Sequence, residues 1–255
     1  MIDIMIRCKD LVVIDQIGSL NEWFLKCPPQ GKEKHWKDGR SAKETAKHWV
    51  YTIPQPYKEI LELWKLKFNV CSPEYVTTFD KNGGNGRNHD LLILAENEDK
   101  ESVVISVESK VDEPFGDTIS KTIKAAEKRK MDTPNSKGLN RITDLRMALF
   151  GKEDDNQLEL KYQLLTAVAG TIAEAKKHKA KSAIFLVQTF ISDEILKKKH
   201  LQNQNDLDSF ITLFSNSKYT EIPSDQLIGP FRITSKTKHL PDDIDLWIGK
   251  FDVEI

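Results

Sequence analysis

The 255 residues balance 38 Lys and Arg against 39 Asp and Glu, for a net charge of −1, and 39% of them are hydrophobic. That length carries one sizeable core, so neither a disulfide framework nor a structural metal is needed to hold the fold. The neutral balance does not announce a nucleic-acid binder, although a local basic patch is compatible with it. Cys8, Cys27 and Cys71 are scattered, without Cys-x-x-Cys spacing, which excludes a zinc knuckle and suits a reducing cytosol. Asp3, Arg7, Lys9 and Asp10 interrupt the first apolar residues, so no signal-peptide core is expected, and no apolar run has the length of a membrane span. These features predict a cytoplasmic chain without a membrane partner. Lysine clusters at Lys121 to Lys130, Lys176 to Lys181 and Lys197 to Lys199 read as solvated helix faces.

In chain order, the part up to Asp80 reads as mostly helical. Ile17 to Lys26 predicts a short helix stopped by Cys27-Pro-Pro. Ala42 to Tyr51 predicts a second, with Ser41 as N-cap and Glu44 completing a capping box. Tyr57 to Leu66 predicts a third, ended by Phe68-Asn-Val-Cys-Ser-Pro. The character then changes. Tyr75 to Phe79 is a short β-branched and aromatic run, and Lys81-Asn-Gly-Gly-Asn-Gly-Arg-Asn a flexible loop. Leu91 to Ala95 and Ser102 to Val111 predict a hairpin. Helical patterns follow at Thr118 to Lys130, Ile142 to Phe150 and Leu158 to Lys177, with Leu164, Leu165, Val168 and Ile172 as the apolar face of the last. Ala183 to Phe190 predicts a strand buried on both faces, Asp206 to Phe214 a helix, and Leu246 to Val253 a final strand. The pattern predicts an α/β protein, a mixed β-sheet flanked by helices with a helical N-terminal part, in a single domain over residues 1–255.

Chemistry concentrates in Asn88-His-Asp-Leu-Leu-Ile-Leu94 and Val103-Val-Ile-Ser-Val-Glu-Ser-Lys110. Strand side chains alternate, so Glu108 and Lys110 point one way while Val107 and Ser109 point the other. If the two strands pair, Asp90 comes close to Glu108, giving two carboxylates and an ammonium at one spot. A lone charge at the end of an apolar strand costs roughly several kcal/mol unless paired or metal-bound. An exposed same-face ion pair of Glu108 and Lys110 is the plainer alternative. Arg87 and Arg146 are candidate phosphate contacts, Arg87 from the flexible loop. Glycine-rich as that loop is, it lacks the Gly-Lys-Ser/Thr ending of a Walker loop. His-Glu-x-x-His, Gly-x-Ser-x-Gly and dinucleotide fingerprints are also absent. His89 reads as a fold-facing or hydrogen-bonding residue and not a metal ligand, and the five tryptophans as core packing or a peptide-like surface.

The order of acidic residue, strand, turn, strand and Glu-x-Lys resembles the PD-(D/E)XK nuclease superfamily over roughly Ser41 to Phe190, with His89-Asp90 where that family often has Pro-Asp. The wider pattern, Asp38-Gly-Arg-Ser-Ala-Lys-Glu44 with Tyr162-Gln-Leu-Leu-Thr-Ala-Val-Ala-Gly170, also resembles an uncharacterised bacterial family grouped with that superfamily. The resemblance implies a restriction-endonuclease-like fold and metal-dependent phosphodiester hydrolysis on DNA. It implies Mg²⁺ or Mn²⁺ held by Asp90, Glu108 and the Ser109 carbonyl, with Lys110 beside the attacked phosphate. It offers Glu44 as a further ligand, with Glu59 as substitute, and places Gln163 near the metal. Arg87 would engage substrate. A nuclease-fold binding or assembly protein without cleavage is the competing reading, and a second copy or a protein partner stays open.

Overall fold

A computed structural model of the protein describes residues 5–6, 17–192, 197–233, 237 and 239–255. Asp3, Arg7, Lys9, Asp10 and Cys8, on which the leader and part of the cysteine readings rest, lie outside them. Three helices open the described chain: α1 (Leu20–Lys26), α2 (Ser41–Trp49) and α3 (Gln55–Leu63). α1 starts later than its apolar pattern because Ser19 Oγ accepts the Glu22 N–H at 3.1 Å and caps it.

The sheet contains β1 (Met5–Ile6), β2 (Lys67–Thr77), β3 (Arg87–Glu96), β4 (Ser102–Lys110), β5 (Ser182–Ile191), β6 (Gln226–Phe231) and β7 (Asp245–Glu254), in spatial order β1-β2-β3-β4-β5-β7-β6. β2, β3 and β4 form an antiparallel meander, and β6 is antiparallel to β7. β4–β5 and β5–β7 are parallel, so each needs a crossover. α4 (Ile119–Asp132), α5 (Gly138–Phe150) and α6 (Tyr162–Lys177) supply the first, and α7 (Lys197–Phe214) lies within the second. The fold is therefore the mixed α/β sheet with flanking helices and a helical N-terminal part that the pattern predicts.

One core lies between the sheet and α4–α7, and a second packs Trp49, Tyr57 and Phe68 against Leu91, Ile105 and Phe251 on the α1–α3 side. Each such buried aromatic contributes on the order of 2 kcal/mol. Gln188, the polar residue in the apolar run of β5, accepts from Tyr57 Oη at 2.7 Å and Trp49 Nε1 at 3.2 Å, tying α2 and α3 to the sheet. α6 is buried continuously from Leu164 to Ala175, more than a one-faced helix would be, because α5 packs on it from behind. Among the described residues no helix is long and apolar enough to cross a membrane.

Four expectations need correction. Lys67 to Thr77 is one long strand and not a helix end followed by a short run. Pro73, which reads as a breaker, lies within the strand opposite Leu91 of β3. β3 begins at Arg87, so Arg87 and Asn88 belong to a strand and not to the glycine loop. The N-cap of α2 is Arg40, one residue before Ser41. β6, of which the pattern gave no sign, is six residues long and has a Gly-Pro that separates Leu227 and Ile228 from Phe231.

Candidate active site

The β3–β4 ladder runs from Glu96 opposite Ser102 to Leu91 opposite Val107 and stops. Each strand keeps its outer neighbour well beyond that point, β3 with β2 as far as Arg87 opposite Thr77, and β4 with β5 as far as Lys110 opposite Thr189. The sheet thus parts between its two central strands, and the next residue on either side is Asp90 or Glu108. In place of the missing ladder bond, Asp90 Oδ2 accepts the Ser109 N–H at 2.6 Å. Glu74, the β2 residue flanked by the Pro73–Leu91 and Tyr75–His89 pairs, has a left-handed φ of 50°, a conformation costly for a non-glycine residue. Side-chain alternation slips there. Leu91 packs on the α1–α3 side, whereas His89, two residues earlier, lies against Gly170 of α6.

The parted strands form one wall of a cleft of about 600 Å³, lined by Asp90, Glu108, Ser109, Lys110, Arg87 and Gln163. Glu108 is 3% exposed and each of its oxygens is engaged. Oε1 accepts from Lys110 Nζ at 2.6 Å and from Gln163 Nε2 at 2.7 Å, while Oε2 accepts from Arg87 Nη2. Gln163 closes the ring by accepting from Lys110 Nζ at 3.2 Å. Lys110 also sits 5.1 Å from the Phe115 ring centre, within cation–π range. Ser109 turns its hydroxyl away, where it accepts from Thr45 Oγ1 of α2 at 2.7 Å.

Burial governs the ionisation of this group. It pushes the Lys110 ammonium down to about 8, against the pull of Asp90 and with added repulsion from Arg87. It lowers Arg87 to about 10, which leaves it charged at neutral pH. Burial raises the Asp90 carboxyl, opposed by Lys110, the Ser109 N–H and Arg87. His89 is driven down to about 3, first by burial and then by Arg87, so its ring is neutral. Neither ring nitrogen of His89 has a hydrogen-bond partner among the described residues.

The remaining sequence candidates lie elsewhere. Glu44 accepts from the Gly39 N–H at 2.8 Å and from Lys47 at 2.9 Å, a helix-start role outside the cleft lining. Glu59, on α3, lines a separate cleft beside Trp64 and Trp247. Arg146 is buried in α5 and braces the following turn through Gln157, Glu153 and the Asp154 carbonyl. Pattern reading missed Glu74 and Glu113, which also line the cleft. Glu74 was hidden behind Pro73; its Oε2 accepts from Asn88 Nδ2 at 2.6 Å. Glu113 comes three residues after Lys110 and accepts the Ser41 N–H at 3.3 Å, so it caps α2 from across the cleft. Lys34, His35, Lys37 and Arg40 form a basic rim.

Asp90 and Glu108 offer hard oxygen donors of the kind Mg²⁺ and Mn²⁺ take. Among the described residues Asp90 accepts through Oδ2 alone, which leaves Oδ1 for a cation. Glu108 Oε2 has one hydrogen-bond partner where Oε1 has two, so Oε2 is the freer donor, and a cation there would compete with the Arg87 charge. Among the described residues no group of three or more His, Cys, Asp and Glu is placed to hold a metal ion, so Asp90 and Glu108 stand as a pair without a third such ligand.

A mixed α/β sheet that parts over two carboxylates, a lysine and a glutamine defines the class of site. The model of a domain of unknown function (DUF6946) matches residues 16–254, and the chain belongs to that family. Neither the search of curated proteins nor that of solved structures found a match.

Proposed function

We propose that the protein is a metal-dependent phosphodiester hydrolase acting on DNA, a nuclease of the PD-(D/E)XK type. The observation that carries this reading is the convergence of Asp90, Glu108, Lys110 and Gln163 where β3 and β4 part, inside a cleft with a basic rim. When bound by Asp90 and Glu108, Mg²⁺ or Mn²⁺ supplies a water of lowered pKa and a polarised phosphate. Lys110 orients that water and offsets negative charge that develops on the phosphate. Gln163 holds Lys110 and Glu108 in register through its two amide atoms, and the Ser109 N–H fixes Asp90. The rim cations draw the polyanion in.

The test is cleavage of supercoiled, linear duplex and single-stranded DNA with Mn²⁺. Lys110→Ala and Asp90→Asn should each lower the rate by about a hundredfold or more. Cleavage that survives in both variants sinks the mechanism. A second reading, a binding or assembly protein that does not cleave, is favoured by one feature: Arg87 already neutralises Glu108. No cleavage by any form of the protein would move the weight to it.

A further inference from the structure

Beside the cleft runs a second groove, of about 570 Å³, between the glycine loop and the α4–α5 turn. The two are neighbours along the chain at two points. Asn85 lines the groove and Arg87 the cleft, with only Gly86 between them; Tyr162 lines the groove and Gln163 the cleft. Gly86 permits that narrow divide, because a Cβ there would stand 2.5 Å from the Thr77 carbonyl oxygen. One or two residues, roughly 4 to 8 Å of chain, therefore separate the groove from the cluster around Glu108.

The groove is lined by Arg129, Lys137 and Arg141 and by no carboxylate. Arg141 is committed to the loop: its Nη2 donates to the Gly83 carbonyl at 2.6 Å, its Nη1 to the Asn85 carbonyl at 2.9 Å, and its Nε lies 2.6 Å from Asp80. Arg129 and Lys137 are exposed and have no ion-pair partner among the described residues. They belong to a chain whose net charge is −1. The excess acid lies elsewhere, as in a groove lined by Glu159, Asp206 and Asp208 and another lined by Glu59 and Asp225, neither lined by Lys or Arg. Opposite charge is thus sorted between grooves, and the unpaired cations fall next to the candidate chemistry.

Resting on the nucleic-acid reading above, we infer that this groove binds the phosphate backbone of a DNA strand within a few nucleotides of the phosphate held in the cleft. The lysine-bearing end of α4 then serves as a binding edge and not only as a solvated face. Each phosphate contact releases a counterion, so its signature is the salt dependence of binding.

Anisotropy of a labelled single-stranded DNA 20-mer, titrated with protein in EDTA across a range of salt, reads this without cleavage. The double variant R129E/K137E should bind more weakly and lower the salt slope by about 1.4, roughly 0.7 for each of two phosphate contacts on a single strand. K65E/K100E makes the same charge change on exposed residues at the opposite, hairpin end of the sheet and should leave the slope as it is. Equal loss in both doubles, or a slope unchanged in R129E/K137E, overturns the inference, as does a wild-type protein that does not bind the strand. Strand binding that depends on the groove, without cleavage in Mn²⁺, would uphold the inference while removing the nuclease reading.

Discussion

Gly170 marks the closest approach of α6 to β3. A Cβ added there would stand 2.9 Å from Arg87 Cγ and from the His89 ring, both buried and without room to retreat. Gly170→Ala should destabilise the fold by roughly 1–3 kcal/mol, read as a shift in the denaturant midpoint. It should also lower cleavage by pushing β3, which carries Asp90, away from α6, which carries Gln163. Gln163 makes the complementary case. Gln163→Leu keeps the volume but leaves Glu108 Oε1 with Lys110 alone and removes an acceptor from the ammonium. Losing hydrogen bonds to two buried charges costs about 1.5–3 kcal/mol, and the rate should fall more than the stability, because both groups belong to the proposed chemistry. A Gln163→Leu protein as active as wild type would remove Gln163 from the site. The candidate pair was legible in the sequence because strand alternation alone puts Glu108 and Lys110 on one face. Arg87 was misplaced because a residue beside three glycines reads as loop, although Arg87 to Glu96 pairs with β2 along its length.

At the scale of elements, α6 is fastened to β2 by a buried carboxylate that does not belong to the cleft. Glu174 accepts from Tyr75 Oη at 2.8 Å, Thr77 Oγ1 at 2.9 Å and Lys177 Nζ at 2.8 Å, with His178 Nε2 at 3.2 Å. Burial alone would raise its pKa, but the hydrogen bonds from His178, Lys177, Tyr75 and Thr77 outweigh it and hold the group at about 2, below its ordinary 4.5. Between those values the unfolded chain binds the proton and the folded chain does not. The stability Glu174 lends is therefore fully present above about pH 4.5 and is lost as pH falls through 2. Glu174→Gln should cost roughly 3 kcal/mol at neutral pH and flatten the acid limb of stability against pH between those limits. An unchanged acid limb would mean that other carboxylates carry it. β4 and β5 were readable because unbroken β-branched runs admit few other structures. β2 was not, since Pro73 and the left-handed Glu74 disguise a strand whose distortion helps open the cleft. The Glu113 cap on α2 was equally hidden, because it joins residues 72 apart in sequence that only the fold brings together.

For the molecule as a whole, the cleft is a charge balance set inside the sheet. Asp90 and Glu108 are offset by Arg87 and Lys110, and Arg87 is the member a divalent cation would compete with for Glu108. Arg87→Gln should therefore separate two effects that the wild-type protein combines. Without metal, Glu108 loses a charged partner while 97% of its surface stays buried, and breaking such a pair costs about 3–5 kcal/mol. In a chain of this size that corresponds to a fall in Tm of roughly 10 °C. With Mn²⁺ present the same vacancy is filled by a better-placed charge, so the cation should bind more tightly to the variant than to wild type. Binding to the folded state alone raises stability with the logarithm of metal concentration, hence the Mn²⁺-induced rise in Tm should be larger in Arg87→Gln and absent in Arg87→Gln combined with Asp90→Asn. Thermal unfolding in EDTA and across a Mn²⁺ series measures all three. A variant as destabilised as expected, whose Tm ignores Mn²⁺, would make Arg87 a permanent counter-ion and leave the carboxylates structural, the outcome that favours a binding protein over a nuclease.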